Sequence, residues 1–233
     1  MFKKLLLSIC LVVLLATSGK AQFNRDHFFI SAGPSMIYGD NAGIYSDFRF
    51  RILPAIGIGY NYELSRHWDL RASIGNQWIS SGNYYSAESR RARLWSETDE
   101  AIRFNGTAIY ADIMPTFQLN PNIRGRVGNV VNYYMGAGIG LMHSSRQDKL
   151  LIENPFTETT GLAEQSGSTT SLYVPLRFGV STNLEQEWDI AFEGSSFIAF
   201  SSDIDGNTSQ WKQVKPDVLL QFQIIVKRYI GRY

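Results

Sequence analysis

The stretch Leu172–Ser181, LYVPLRFGVS, decides the fold class, because apolar side chains occupy every second position. Successive side chains of a β-strand point to opposite faces, so this period of two predicts a strand with one apolar and one polar face. The stretch Val218–Lys227, VLLQFQIIVK, repeats the pattern. The polar face of each stretch also contains some apolar residues. It carries one charged residue, which is Arg177 in the first stretch and Lys227 in the second.

Six further segments show the same alternation, two of them less regularly. In chain order they are Phe28–Met36, 55–62, Trp68–Gly75, Ile109–Met114, Tyr133–Leu141 and Trp188–Phe200. The sequence therefore predicts eight strands.

The segments between these strands alternate between short and long. Segments 64–66 and 184–186 are turns of three residues and 120–129 has about ten, while the connections between them are 39–47, 81–102, 146–167 and 202–213. Membrane barrels have short periplasmic turns at one end and longer external loops at the other. We therefore predict an all-β fold, an eight-stranded antiparallel up-and-down transmembrane β-barrel of the outer-membrane type with four longer external loops.

Two of the short turns share a motif. Leu64-x-x-x-Trp68-Asp69-Leu70 matches Leu184-x-x-x-Trp188-Asp189-Ile190. We expect Trp68 and Trp188 to lie in the interfacial aromatic girdle and the two aspartates to turn inward.

The polar faces of the predicted strands carry three basic and four acidic residues. They are Asp69, Arg71, Asp112, Arg177, Asp189, Glu193 and Lys227. The interior of an eight-stranded barrel is just wide enough for its side chains, so these charges are expected to pair with one another or with trapped water. The main hypothesis is a structural plug of salt bridges without an open pore, and the alternative is a path for protons or ions.

The chain has 233 residues, of which 44% are hydrophobic and 13% aromatic. Residues 1–21 resemble a secretory signal peptide, with Lys3 and Lys4 before an apolar run of about a dozen residues, and residues 22–233 would form the barrel. Removal of the leader takes away Cys10 and leaves 19 basic and 21 acidic residues, a net charge of −2. A near-neutral chain without a basic patch argues against nucleic acid as a partner. The predicted location is the outer membrane, in contact with its lipid and lipopolysaccharide.

Four groups of residues are candidates for chemistry. His143 and Ser145 share one strand face, as in some barrels that deacylate lipid A, but Arg146-Gln147-Asp148 does not extend that pattern. Residues 203–207, DIDGN, lack the glutamate of a calcium loop at position twelve and are expected at a hairpin tip. The three histidines are too widely spaced for zinc. The basic run Glu88, Arg90, Arg91, Arg93 could lie beside lipopolysaccharide phosphates. We therefore assign no catalytic, cofactor-binding or metal-binding residue.

A family resemblance covers roughly the first half of the chain, to Leu119. Its elements are Tyr38-Gly39-Asp40, the series from Pro54 to Tyr62, Trp68-Asp69-Leu70-Arg71 and Arg103-Phe104-Asn105. Together they resemble the PorG-type small outer-membrane barrels associated with type IX secretion. The resemblance implies a non-catalytic barrel that anchors a periplasmic ring of secretion machinery, with periplasmic or lipoprotein subunits as partners.

The sequence leaves three functions open. The favoured one is a structural barrel that anchors a secretion or envelope complex. The second is a barrel whose long loops bind a surface ligand or lipopolysaccharide, and the third is a lipid A-modifying enzyme.

Overall fold

The structure is a computed structural model, and it describes residues 25–121, 130–154, 159–184, 187–208, 212 and 214–230. The predicted signal peptide, 1–21, lies outside the described residues. None of the helices in the described ranges is long and apolar enough to cross a membrane.

Long strands dominate the described chain. In order, the elements are β1 (His27–Tyr38), β2 (Gly43–Ile44), a 3-10 turn (Tyr45–Asp47), β3 (Arg49–Phe50), β4 (Leu53–Glu63), β5 (Trp68–Ser80), α1 (Arg90–Glu97), β6 (Ala101–Gln118), β7 (Val131–Ala137), β8 (Ile139–Asn154), β9 (Thr159–Thr182), β10 (Trp188–Ala199) and β11 (Val218–Tyr229). The short strands β2 and β3 pair only with each other.

The long strands form a closed antiparallel ring. Its order is β1, β4, β5, β6, β7 with β8, β9, β10 and β11, and β11 pairs back onto β1. Strands β7 and β8 both lie between β6 and β9, so they are one strand interrupted at Gly138. Counted over the described residues, the ring has eight strands, which confirms the predicted all-β barrel.

Large apolar side chains cover the outside of the ring. Those exposed over about half or more of their surface include Phe28, Ile30, Ile58, Ile74, Ile109, Ile113, Leu141, Phe178, Phe192, Phe222 and Ile224. On β5, Trp68 and Trp78 bracket this belt on the same face. Ten residues at ~3.3 Å each span about 33 Å along the strand, and a tilt of ~40° leaves about 25 Å, the height of the apolar band of a membrane barrel.

The inside of the ring is filled by aromatic and polar side chains. Phe197 is fully buried, and its ring centroid lies 4.8 Å from that of Tyr110 and 5.0 Å from that of Tyr173. Glycines make room for such rings on neighbouring strands. A Cβ on Gly140 would lie 2.5 Å from the Tyr173 ring, and one on Gly179 would lie 2.1 Å from the Tyr134 ring. The barrel is therefore too narrow for side chains at both positions of these pairs.

The prediction of a long loop at 146–167 is wrong over most of that range. Strands β8 and β9 continue through it and pair from Gly140↔Tyr173 outward to Asn154↔Thr159. The hydrophobic alternation ends there because both faces of the hairpin become polar, so apolar periodicity no longer marks a strand that backbone pairing still stabilises.

The other long connections also hold more structure than predicted. Segment 81–102 contains helix α1, which begins after Ser89, whose hydroxyl accepts a hydrogen bond from the Ala92 amide at 3.2 Å. One face of α1 is packed: Ala92 and Trp95 are buried with Tyr85, Ile102 and Leu151. The start of 202–213 folds into the barrel mouth, where Ile204 is fully buried.

Candidate functional site

Two ion pairs lie inside the barrel at its centre, and one of them joins opposite strands. Arg177 of β9 donates from both terminal nitrogens to Asp112 of β6, at 2.7 Å each. Arg71 of β5 donates to Glu193 of β10 at 2.5 Å, and these two strands lie on opposite sides of the ring. Nε of Arg177 lies 3.5 Å from Glu193, so the four charges form one network.

Hydroxyl groups and aromatic rings complete this central network. Tyr173 donates to Asp112 at 2.6 Å, and Tyr134 donates to Glu193 at 2.8 Å. The Arg71 guanidinium lies 4.1 Å from the Phe29 ring centroid. All four charged side chains are 5% exposed or less. Bidentate pairing with added hydrogen bonds is what offsets the desolvation of buried charges.

Asp69 belongs to a second cluster at the end with the short turns. Arg25, which precedes β1, lies 3.1 Å from Asp69 and 3.4 Å from Glu63. Gln118 donates to the other oxygen of Asp69 at 2.7 Å. Sequence reasoning missed Arg25, because it stands before the first alternating segment and only the closed ring brings it to Asp69.

Asp189 and Lys227 are both buried inside the barrel, and they do not form an ion pair with each other. They are cross-strand neighbours, yet Lys227 donates to Ser181 at 3.0 Å and lies 4.7 Å from the Tyr134 ring centroid. Asp189 accepts from Thr182 at 2.9 Å and from the Leu184 amide at 3.1 Å. Asp189 therefore caps the short turn. Its hydrogen bonds to nearby turn residues compete with an ion pair, and an argument from charge alone does not take them into account.

Trp68 and Trp188 both lie on the outer face at the end with the short turns, and about half of each is exposed. Trp68 packs edge-on against Phe117 at 5.2 Å, and the Arg228 guanidinium lies 5.3 Å from Trp188. Their role as an interfacial girdle remains a prediction.

A third layer of charge closes the end with the long connections. Arg146, expected in a loop, points inward from β8 and pairs with Asp148 at 3.0 Å and Asp203 at 3.2 Å. Residues 203–207, expected at a hairpin tip, instead turn into the mouth. There the Asp205 carboxylate accepts from the Asp40 and Asn207 amides.

The mouth carries more acid than base. Lys212 forms ion pairs with Asp217 and, at 3.4 Å, with Asp40. Burial raises the pKa of Asp217 to about 6, against the opposing effect of Lys212. Burial and the charge of Asp217 raise the pKa of Asp205 well above its ordinary value.

The remaining candidates lie on the outside. His143 and Ser145 face outward on β8, and the His143 imidazole is 2.8 Å from the hydroxyl of Thr170. Strand β8 continues past these residues to Asn154, so His143 and Ser145 do not lie at a strand end. Arg90, Arg91 and Arg93 are exposed on α1 rather than in a loop. In the described part of the chain, no three acidic, histidine or cysteine side chains converge on a metal position.

A closed antiparallel ring with an apolar exterior and a charged interior defines a small β-barrel of the outer-membrane type. The chain belongs to the family described as Domain of unknown function (DUF6089), whose profile matches residues 3–223. No curated protein matches the sequence.

Solved structures share this fold. A major outer membrane protein from Thermus thermophilus is 11% identical, with a TM-score of 0.50 over 88% of this chain and 99% of that chain. Neisserial surface protein A is 10% identical, with a TM-score of 0.49 over 91% and 100%. Ail of Yersinia pestis, crystallised with the heparin analogue sucrose octasulfate, is 12% identical, with a TM-score of 0.46 over 88% and 97%. At these identities the likeness concerns the fold alone.

Proposed function

We propose that the protein is a non-catalytic outer-membrane barrel that anchors or organises a protein-secretion or envelope complex. The observation that carries the proposal is the Arg71–Glu193 ion pair, which spans the ring between opposite strands at 2.5 Å. A barrel tied across its own diameter offers no wide channel for a solute and suits a rigid, passive support.

The apolar exterior supports the outer-membrane location. A belt about 25 Å high, bracketed by Trp68 and Trp78, matches the apolar band of a membrane barrel. In water the same surface would be a large exposed apolar patch and an aggregation hazard.

The proposed link to type IX secretion rests on the PorG-like sequence elements. In the structure the residues of these elements contact other residues of the barrel itself. Gly39 donates to the Tyr45 hydroxyl at 2.9 Å, Asp69 pairs with Arg25, and Arg71 pairs with Glu193. The resemblance therefore concerns how the barrel is built, and partner contacts would lie elsewhere, on the short turns that face the periplasm.

Site-specific photo-crosslinking in cells tests this proposal. A photoreactive residue replaces Arg66, which is exposed in the turn between β4 and β5, and the control replaces Asp47, which is exposed at the opposite end. We expect the Arg66 position to capture a periplasmic or lipoprotein subunit and the Asp47 position not to capture it. A barrel that yields only lipid or self cross-links from Arg66, together with normal secretion in a deletion strain, would refute the anchoring role.

A further inference from the structure

A basic pocket lies on the outer wall of the barrel, where β5, β6 and β8 leave the apolar belt. It is a cavity of about 250 Å³ whose cationic lining residues are Arg51, Arg103 and Lys149. The other lining residues are Ser80, Ser81, Gly82, Asn83, Phe104 and Asn105, so none of the lining residues is acidic.

Backbone pairing fixes the position of the pocket. Arg103 of β6 pairs with Lys149 of β8, and Asn105 of β6 pairs with Ser80 of β5. Further along β6, Thr107 pairs with Trp78, which marks the upper edge of the belt. Along β6 the pocket therefore lies between two and four residues beyond that edge, which is roughly 7–13 Å along the strand. With a strand tilt of ~40° this is about 5–10 Å above the belt, which overlaps the headgroup layer of a bilayer, about 5–8 Å thick on each side.

The two arginines lack carboxylate partners among the described residues. Nε of Arg103 is buried without a hydrogen-bond acceptor, and Arg51 reaches only the Ser80 hydroxyl, at 3.5 Å. A buried guanidinium nitrogen without an acceptor is costly, so this arrangement favours an anion that would supply the missing oxygens.

Lys149 can contribute as well. Its partner is Glu164 at 2.8 Å, but the two side chains are 43% and 62% exposed. An exposed pair of this kind contributes only about 0–1 kcal/mol, so a phosphate can compete for the ammonium group.

The backbone around the pocket is well anchored. The Ser81 amide donates to the Phe104 carbonyl at 3.1 Å, and the Ser81 hydroxyl accepts from the Phe104 amide at 2.9 Å. Gly82 has a φ of +74° and turns the chain, and a Cβ at this position would lie 2.8 Å from the Tyr84 ring and 3.4 Å from the Arg51 side chain. A side chain at position 82 would therefore collide with the Tyr84 ring and strain the turn beside Arg51.

We propose that Arg51, Arg103 and Lys149 form a binding pocket for a phosphate group carried by an outer-leaflet glycolipid or supplied as a soluble anion. Arginine forks match phosphate oxygens in a bidentate manner, and lysine adds a point charge. This site does not depend on the anchoring role, and no described residue of it lies in the short turns.

Native mass spectrometry of the full chain in neutral detergent tests the pocket. The probes are bisphosphorylated lipid A, monophosphorylated lipid A and inorganic pyrophosphate. The test variant is R51Q/R103Q, and the matched control is R66Q/R228Q, which removes two exposed arginines at the end with the short turns. Heat-modifiable electrophoretic mobility shows whether each variant folds, and R51Q alone replaces the double variant if that one does not.

The double variant is expected to bind bisphosphorylated lipid A at least tenfold more weakly than wild type, with the control unchanged and R51Q about threefold weaker. A smaller loss for the monophosphorylated form would identify the lipid as the source of the phosphate. Loss of pyrophosphate binding alone, with lipid A binding unchanged, would assign the pocket to a soluble anion. Equal binding of all probes by wild type and R51Q/R103Q would overturn the proposal.

Discussion

Arg177 is the side chain on which the central network depends most. It donates two bonds of 2.7 Å to Asp112 and also approaches Glu193, while being 2% exposed. Removing one partner of a buried pair leaves the other charge without compensation, which costs more than the pair itself contributes.

Arg177→Met is therefore expected to lower the free energy of unfolding by about 3–5 kcal/mol. The matched control, Lys149→Gln, breaks the exposed pair with Glu164 and should cost no more than about 1 kcal/mol. Urea unfolding in lipid vesicles, followed by tryptophan fluorescence, measures both. The double variant D112L/R177M should recover part of the loss. Equal effects of R177M and K149Q would contradict a stabilising network.

The acidic mouth predicts a local dependence on pH. A carboxyl group whose pKa is higher in the folded than in the unfolded state takes up a proton on folding, so its contribution to stability grows as the pH falls. For Asp217 the shift runs from 3.8 to about 6, so the gain begins near pH 7 and is complete only below about pH 3. Asp205, with its raised pKa, acts in the same direction.

Hydrogen exchange of residues 202–208, corrected for intrinsic rates, measures this effect. Lowering the pH from 7.5 to 5 should raise the free energy of local opening by at least about 1 kcal/mol, because Asp217 alone supplies that much. Asp217→Asn should flatten the pH response, while Asp47→Asn, at an exposed position, should leave it unchanged. A free energy of local opening that falls when the pH is lowered from 7.5 to 5 would contradict the raised pKa assigned to Asp217.

The outer hairpin of β8 and β9 is more than a continuation of the barrel wall, because it also holds helix α1. Leu151 is 5% exposed and packs with Trp95, whereas its neighbour Ile152 is 54% exposed. A helix of eight residues is not stable by itself in water, so α1 depends on this contact.

Leu151→Ala should therefore release α1 while leaving the ring folded. We expect trypsin cleavage at Arg90, Arg91 and Arg93 to become about tenfold faster, because the lost packing is worth roughly 2–5 kcal/mol in a rigid core and part of that at this edge. Ile152→Ala is the control and should cleave like wild type. Unchanged cleavage in the Leu151 variant would show that other contacts hold the helix.

Most of the ring could be predicted from the sequence, because the membrane-height part of each strand has one apolar and one polar face. That contrast disappears in the outer hairpin. There the outward-facing residues are Ser145, Gln147 and Lys149, and the inward-facing residues are Ser144, Arg146 and Asp148. Because both faces are polar, the composition of this strand does not differ from that of a loop.

The interior was predicted less completely than the ring. Alternation placed Arg71, Asp112, Arg177 and Glu193 on the polar faces. Their partners depend on the closed ring, in which β5 lies opposite β10 and only one strand separates β6 from β9. The contacts of Asp69 with Arg25, and of Lys212 with Asp217, join residues outside the alternating segments to the barrel. Nothing in the local sequence encodes such contacts, because they depend on closure of the whole sheet.

Across the whole molecule, the central feature is an interior that the barrel's own charges close. Reconstitution of the full chain into planar lipid bilayers, with current recorded across the membrane, tests that directly. A barrel tied across its diameter by Arg71–Glu193, with the Arg177–Asp112 pair beside it, is expected to insert without stable channels. Steady, reproducible conductance steps of porin size would contradict the closed interior and the passive role proposed for it.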